Sequence, residues 1–253
     1  DSLVVEAGAY ADGGCNADRA EKRVAAHEGG VVRIVLLGGP GAGKGTQAMR
    51  LAEAFGIPQI STGAYYRDQL ERETELGERI RVFMDTGSLV PDELTCEVVE
   101  SRLKQPDCTR GYVLDGFPRS LPQARILDEM LAARGETLDV AIDLEVPDEE
   151  IVARLTGRRT CPVCGKIFNL KFDPPTLDGK RCDRTGCDGS LVSRADDTEE
   201  TVRERIRIYH QTTEPIIKYY KERGLLHVVV EGALGPDQVF QKVEDVVHSL
   251  SRT

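Results

Sequence analysis

The chain has no tryptophan, three methionines, and aromatic residues at only 5% of its 253 positions. A surface that stacks successive bases needs several exposed rings, so this composition argues against a nucleic-acid strand as the main partner. Uninterrupted apolar stretches of 18 or more residues are also missing, which excludes a transmembrane helix of ordinary length. Positive charge is scarce: 33 Lys and Arg stand against 43 Asp and Glu, a formal charge of -10. An acidic protein of this kind does not favour nucleic acid or anionic membrane, and its cations must be concentrated where anions bind. A disulfide framework is not supported either, because seven cysteines is an odd number and four of them cluster.

What is present fits a soluble globular α/β protein with one sizeable core and room for insertions. Val31-Val32-Arg33-Ile34-Val35-Leu36-Leu37 reads as a buried strand, and Gly38-Gly39-Pro40-Gly41-Ala42-Gly43-Lys44-Gly45-Thr46-Gln47 follows it directly. A phosphate chain approaching a helix N-terminus needs bare backbone amides turned toward it, and glycines let the loop curl that closely. Lys44 adds a mobile cation and Thr46 a hydroxyl suited to magnesium. The usual pattern has Ser or Thr directly after the lysine; Gly45 intervenes here, so the strict P-loop template is met as far as Lys44.

Further apolar runs near 57–60, 112–115, 138–145 and 225–230 alternate with helical periodicity, which predicts a parallel sheet covered by helices on both faces. Two segments break the rhythm. Residues 63–89 carry short amphipathic helical pieces and no strand, and residues 157–193 carry Pro, Gly, Asp and Cys with room only for short extended pieces such as Lys166-Ile167-Phe168. Both are expected to be insertions. Asp196-Asp197-Thr198-Glu199-Glu200 is expected to open a long helix that Pro215 kinks or ends, and residues 1–30 read as a mobile, dispensable leader. There are no internal repeats.

Ile60-Ser61-Thr62-Gly63, with Arg67 a helical turn later, and Asp115-Gly116-Phe117-Pro118-Arg119, with Gln123 four residues on, both follow strand ends, where ligands bind in open α/β sheets. Arginine forks onto phosphate oxygens, so Arg67 and Arg119 are candidates to clamp a second phosphate opposite the glycine loop. The cysteines run Cys161-x2-Cys164-x17-Cys182-x4-Cys187. Two close pairs brought across a hairpin suit tetrahedral zinc; four free thiols, a disulfide, or a switch of one ligand to a nearby Asp are the alternatives. The second pair is loose, and Asp183 to Gly186 reads as carrying an insertion.

Taken together with Gly157-Arg158-Arg159 and Arg194-Ala195-Asp196-Asp197, these motifs over residues 31–251 resemble the long-lid adenylate kinases, P-loop nucleoside monophosphate kinases. The resemblance implies a core of residues 31–61, 91–156 and 194–253, an AMP-binding insertion at 62–90 and a lid at 157–193. It implies that Gly39, Pro40, Gly41, Ala42, Gly43, Lys44, Gly45, Thr46, Arg154, Arg158 and Gly232 hold ATP. It assigns Thr62, Gly63, Arg67, Leu89, Val90, Gly116, Phe117, Arg119, Gln123, Arg194 and Arg205 to AMP, the glutamine reading adenine. Lys44, Asp115, Arg119, Arg158, Arg194 and Arg205 form the implied catalytic set, with Asp115 holding magnesium through its waters. The expected cofactors are Mg2+ with ATP and a structural Zn2+ on Cys161, Cys164, Cys182 and Cys187.

One departure from the family pattern is Ala64, where an aspartate often follows Ser-Thr-Gly, leaving Asp115 and Asp196 to support the metal site. The expected reaction is ATP + AMP ⇌ 2 ADP in a cytoplasmic monomer, or in an organelle if a targeting segment has been removed, with no nucleic-acid or membrane partner. Two other readings stay open on the residues: a kinase for UMP or CMP, and a zinc-ribbon module that senses nucleotide without turnover.

Overall fold

The computed structural model describes residues 31–176, 179–230 and 234–250; the leader of residues 1–30 and Gly232 lie outside them. Strand β1 (Val32–Gly38) carries Ile34 to Leu37, all fully buried. A strand apolar on both faces belongs in the middle of a parallel sheet, and β1 sits there. The sheet order is β2 (Gln59–Ser61), β3 (Gly111–Asp115), β1, β4 (Val140–Glu145), β7 (Leu226–Val230), every pairing parallel. The expected strands are therefore present, each within two residues of its expected bounds.

The two faces of β1 feed two different cores. Val35 and Leu37 pack with α4 (Asp92–Leu103), α5 (Leu121–Ala133) and α8 (Glu214–Glu222) through Val99, Leu127, Ile216 and Tyr220. Ile34 and Leu36 pack with α1 (Lys44–Phe55) and α9 (Pro236–Leu250) through Ala48, Leu51, Val239 and Val243. The period-2 alternation of β1 thus builds the doubly covered sheet, and leaves the strand ends free to carry the functional loops.

The first insertion consists of α2 (Thr62–Glu71) and α3 (Glu75–Thr86), with its own small core of Tyr66, Ile80 and Val90. Each helix begins with a hydroxyl cap: Ser61 accepts from the Ala64 N–H and Thr74 from the Gly77 N–H. The second insertion leaves α6 (Asp148–Thr156) and forms an antiparallel pair, β5 (Arg158–Thr160) with β6 (Ile167–Asn169), around a small buried group of Cys161, Phe168 and Cys182.

The expected long helix starts later than its acidic pair suggests. Asp196 and Asp197 lie in a single 3-10 turn, Ala195–Asp197, and α7 (Glu199–Ile208) begins after Thr198, whose side chain accepts the Thr201 N–H. The reason is that the Asp197 carboxylate is committed to Arg158. At Pro215, expected to kink or end the first half of this helix, the α pattern is interrupted rather than ended. A π turn, Tyr209–Thr213, joins α7 to α8, and Pro215, which has no N–H to give to a carbonyl of the preceding turn, follows it as the second residue of α8.

Candidate functional site

The glycine loop bends back under the end of β1. Gly38 has φ +128, and a Cβ there would stand 2.5 Å from the Leu144 carbonyl oxygen, so only glycine lets β1 pass β4 so closely before turning. Helix α1 then opens at Gly43 without a side-chain cap, which leaves its first amides for an anion. The ammonium of Lys44 donates to the carbonyls of Gly38 and Gly39, both at 2.7 Å. Burial pulls it down to about 8, against the opposing pull of the Asp115 carboxylate. Asp115 ends β3, and its Oδ2 accepts from Ser61 Oγ at 3.0 Å and Gln59 Nε2 at 3.3 Å. That same oxygen lies 3.4 Å from where a Cβ on Gly45 would stand, so this carboxylate abuts the start of α1.

Opposite the loop, a cleft is lined by Thr62, Gly63, Arg67, Leu89, Val90, Gly116, Arg119, Gln123 and Arg205, together with Tyr66, Met84 and Asp196. The guanidinium groups of Arg67 and Arg119 converge over Gly63, at 3.4 and 3.8 Å from a Cβ placed there. Thr62 Oγ1 and Arg119 Nε both donate to the Gly116 carbonyl at 2.8 Å. Gln123 accepts the Arg119 N–H through Oε1 and donates through Nε2 to Asp92 Oδ1, each at 2.7 Å. Phe117 is different from its neighbours in the motif: its ring is fully buried in the main core, so only its backbone is available to the cleft.

The lid-side arginines face the same crevice. Arg158 forks onto Asp197 through Nε and Nη2, and Arg205 donates to Asp196 Oδ2 at 2.8 Å. Burial with the nearby Arg158 and Arg67 charges brings Arg194 down to about 9; burial, then the charges of Arg158 and Arg119, brings Arg205 down to about 10 despite Asp196. Arg67 is lowered for the same reasons, burial first. Cations held this close at such cost are arranged for a polyanion. Arg154 projects from α6 to Glu150, its guanidinium carbon 6.0 Å from the centre of the Phe172 ring.

The four clustered cysteines come together, with all Sγ atoms within 4.8 Å of one another. Cys161 to Cys187 and Cys164 to Cys182 are each 3.5 Å, far beyond a disulfide bond and close to the edge of about 3.8 Å set by a tetrahedron of 2.3 Å zinc–sulfur bonds. Asp183, next to Cys182, is taken by Lys166 and Thr176, whose hydrogen bonds hold it down to about 2, and neither it nor Asp188, next to Cys187, joins the cluster of sulfur atoms. The donor set is therefore four thiols, a set that fits zinc.

Several participants escaped the sequence. Asp197, Asp92 and Ser61 each orient a predicted residue, and Asp143, in β4 beside Leu37, is fully buried with no partner for either carboxylate oxygen among the described residues. Burial raises Asp143 to about 6, helped by the charge of Glu145. Asp196, read as metal support, accepts from Arg205 at 2.8 Å. Asp197 and Ser61 had a visible signal, their places in the Arg194-Ala195-Asp196-Asp197 and Ile60-Ser61-Thr62-Gly63 motifs.

The family model described as adenylate kinase matches residues 36–225. The adenylate kinase of Archaeoglobus fulgidus is 48% identical over 219 residues, covering 87% of this chain and 99% of that protein. The adenylate kinase of Agathobacter rectalis is 48% identical over 216 residues, covering 85% and 99%. That of Clostridium botulinum strain Eklund 17B is 50% identical over 212 residues, covering 84% and 97%.

Proposed function

The chain belongs to the adenylate kinase family and is an ATP:AMP phosphotransferase, and we propose that it runs ATP + AMP ⇌ 2 ADP with the residues gathered around its crevice. The observation that carries this assignment of roles is the convergence of Lys44, Arg67, Arg119, Arg158, Arg194 and Arg205 on one cleft in an otherwise acidic protein.

In this reading the ATP phosphates lie along Gly39 to Thr46, and Lys44 exchanges the Gly38 and Gly39 carbonyls for phosphate oxygens. Arg67 and Arg119 hold the AMP phosphate, and Gln123 meets its base. An AMP phosphate oxygen attacks the γ-phosphorus as the bond to the β-phosphate oxygen breaks, so no side-chain nucleophile or general base is required. Arg158, Arg194 and Arg205 take up the charge spread over the transferring group, and positioning supplies much of the rest. Arg154 stands ready to pack against the ATP base.

Adenylate kinases use Mg2+ with ATP, and when bound the ion offsets phosphate charge. In this reading Asp115 would hold its waters, with Ala64 giving less acidic support than an aspartate there would; an unchanged magnesium requirement in Ala64→Asp would count against that deficit. Cys161, Cys164, Cys182 and Cys187 would hold a structural zinc, which supplies the order that Phe168 and its few apolar neighbours do not. Residues 62–90 serve as the AMP-binding insertion and 157–193 as the lid, both closing to exclude water. No described helix is long and apolar enough to cross a membrane, and we read the protein as a cytoplasmic monomer.

The test is ADP formation from ATP and magnesium with AMP, UMP, CMP or GMP offered in turn, beside a control without acceptor. Fast turnover with AMP alone supports the proposed base recognition. Preference for a pyrimidine nucleotide overturns the role given to Gln123.

A further inference from the structure

Gln123 is 2% exposed, and its amide is held at both ends. Oε1 accepts from the Arg119 backbone N–H at 2.7 Å, and Nε2 donates to Asp92 Oδ1 at 2.7 Å. The other Asp92 oxygen accepts from Ser120 Oγ at 2.7 Å, and Ser120 Oγ in turn accepts the Gln123 N–H at 3.2 Å. A backbone N–H can only donate and a carboxylate can only accept, so the two contacts demand the same orientation of the amide. One N–H of Nε2 and one lone pair of Oε1 remain for a ligand in the cleft that Gln123 lines.

The fixed orientation matters because a carboxamide is a symmetric fork with opposite ends. On its Watson–Crick edge adenine presents the 6-amino donor beside the acceptor N1, whereas hypoxanthine presents the reverse, an acceptor O6 beside the donor N1–H. A glutamine free to turn by 180° pairs equally well with either base. The discrimination therefore lies in whatever forbids the turn.

We propose that Asp92 is a specificity-determining positioning residue: by accepting from Gln123 Nε2 it locks the amide in the orientation that reads a 6-aminopurine and rejects a 6-oxopurine. The proposal rests on the reading of Gln123 as the group that meets the AMP base. Turning the amide with Asp92 in place would set Oε1 against the carboxylate and Nε2 against the Arg119 N–H, losing two hydrogen bonds and creating two repulsions. Of those two restraints the Arg119 amide is backbone, so Asp92 is the one a side chain encodes.

The test compares AMP with IMP as acceptors, measuring kcat and KM for each with saturating ATP and magnesium, in the wild-type enzyme, Asp92→Asn and Gln123→Leu. An asparagine can donate to Oε1 as readily as it accepts from Nε2, so Asp92→Asn should lower the AMP:IMP ratio of kcat/KM about tenfold, mostly through KM, with kcat for AMP within about threefold of wild type. The Arg119 N–H keeps the remaining part of the preference. A merely structural injury lowers both acceptors together, so a ratio for Asp92→Asn within about twofold of wild type overturns the proposal. The control separates the two layers. If Gln123→Leu collapses the ratio and Asp92→Asn does not, the base reading stands and the role of Asp92 falls; if Gln123→Leu also leaves the ratio intact, the base reading fails and takes the proposal with it.

Discussion

Gly116 follows the last residue of β3 with φ +80, and replacing it with alanine tests the AMP side of the crevice at its tightest point. Its carbonyl accepts from both Thr62 Oγ1 and Arg119 Nε. A Cβ at this position would stand 2.8 Å from Arg119 Nη2, 3.0 Å from Thr62 Oγ1 and 3.5 Å from Arg119 Cζ. Ordinary contacts of this kind lie at about 3.5 Å or more, so the guanidinium has to retreat by roughly 0.5–1 Å. The left-handed backbone adds about 1–2 kcal/mol for a residue with a side chain, equivalent to a fall of about 2–8 °C in Tm for a chain of this size. A displacement of about 1 Å in a positioning group costs on the order of 10²-fold in rate. Gly116→Ala should therefore lose about 10²-fold in kcat/KM for AMP, while KM for ATP stays near wild type because the glycine loop is untouched. The assay is initial rates with each nucleotide varied at saturation of the other, beside a thermal melt. A folded variant whose kcat/KM for AMP is within threefold of wild type would refute the placement of Arg119 on the acceptor phosphate. An equal loss on the ATP side would show the injury to be general.

Three further outcomes follow from groups already described. Lys44, lowered by burial to about 8, must be cationic to hold phosphate, and bound phosphate raises its pKa; ATP affinity should be flat below about pH 8 and weaken by up to tenfold per unit above it. Calorimetry at pH 9 in buffers of different ionisation enthalpy should then register proton uptake on ATP binding, and none would sink the assignment. Asp143 has a folded-state pKa of about 6, above its unfolded value of 3.8, so its contribution is fully present below about pH 4 and is lost as pH rises through 6, by about 3 kcal/mol at most. Asp143→Asn should accordingly melt higher than wild type at pH 8 and nearly level with it at pH 4; a variant less stable at pH 8 contradicts the reading. Elemental analysis should find one zinc per chain, lost in Cys164→Ser, and chelation should lower both Tm and kcat until zinc is restored. Isolated protein that is metal-free, yet melts and turns over identically with and without zinc, removes the structural role.

How much of this was legible depended on whether the information was local. The glycine loop could be read because a run of glycines before a lysine specifies a backbone shape, and β1 because apolar residues on both of its faces leave it no place but the middle of a sheet. The start of α7 was misread because Asp196 and Asp197 serve as well at a helix N-terminus as opposite arginines, and only the fold, which brings Arg158 to Asp197, decides between them. Asp92 was invisible for a related reason: its neighbour Pro91 marks it as the first residue of a helix, and nothing in the spacing couples it to a glutamine on another helix. Asp143 interrupts an apolar strand without any motif around it. Its burial is a property of the assembled sheet rather than of the segment.

The π turn at Tyr209–Thr213 has a bearing on what lengths this chain tolerates. Upstream of it Arg205 reaches Asp196; within it Thr213 Oγ1 donates to the Arg119 carbonyl at 2.8 Å; downstream of it Ile216 and Tyr220 are fully buried. An α-helix advances about 100° per residue and a π turn takes up one residue more than the α turn it replaces, so re-winding these five residues as α, with none removed, would swing one side of the helix by roughly that angle relative to the other. Either Arg205 would leave the crevice or Ile216 would leave the core. The stretch could lose one residue to an ordinary α turn, but with its present count it must stay wound as π, because two surfaces have to be met at once.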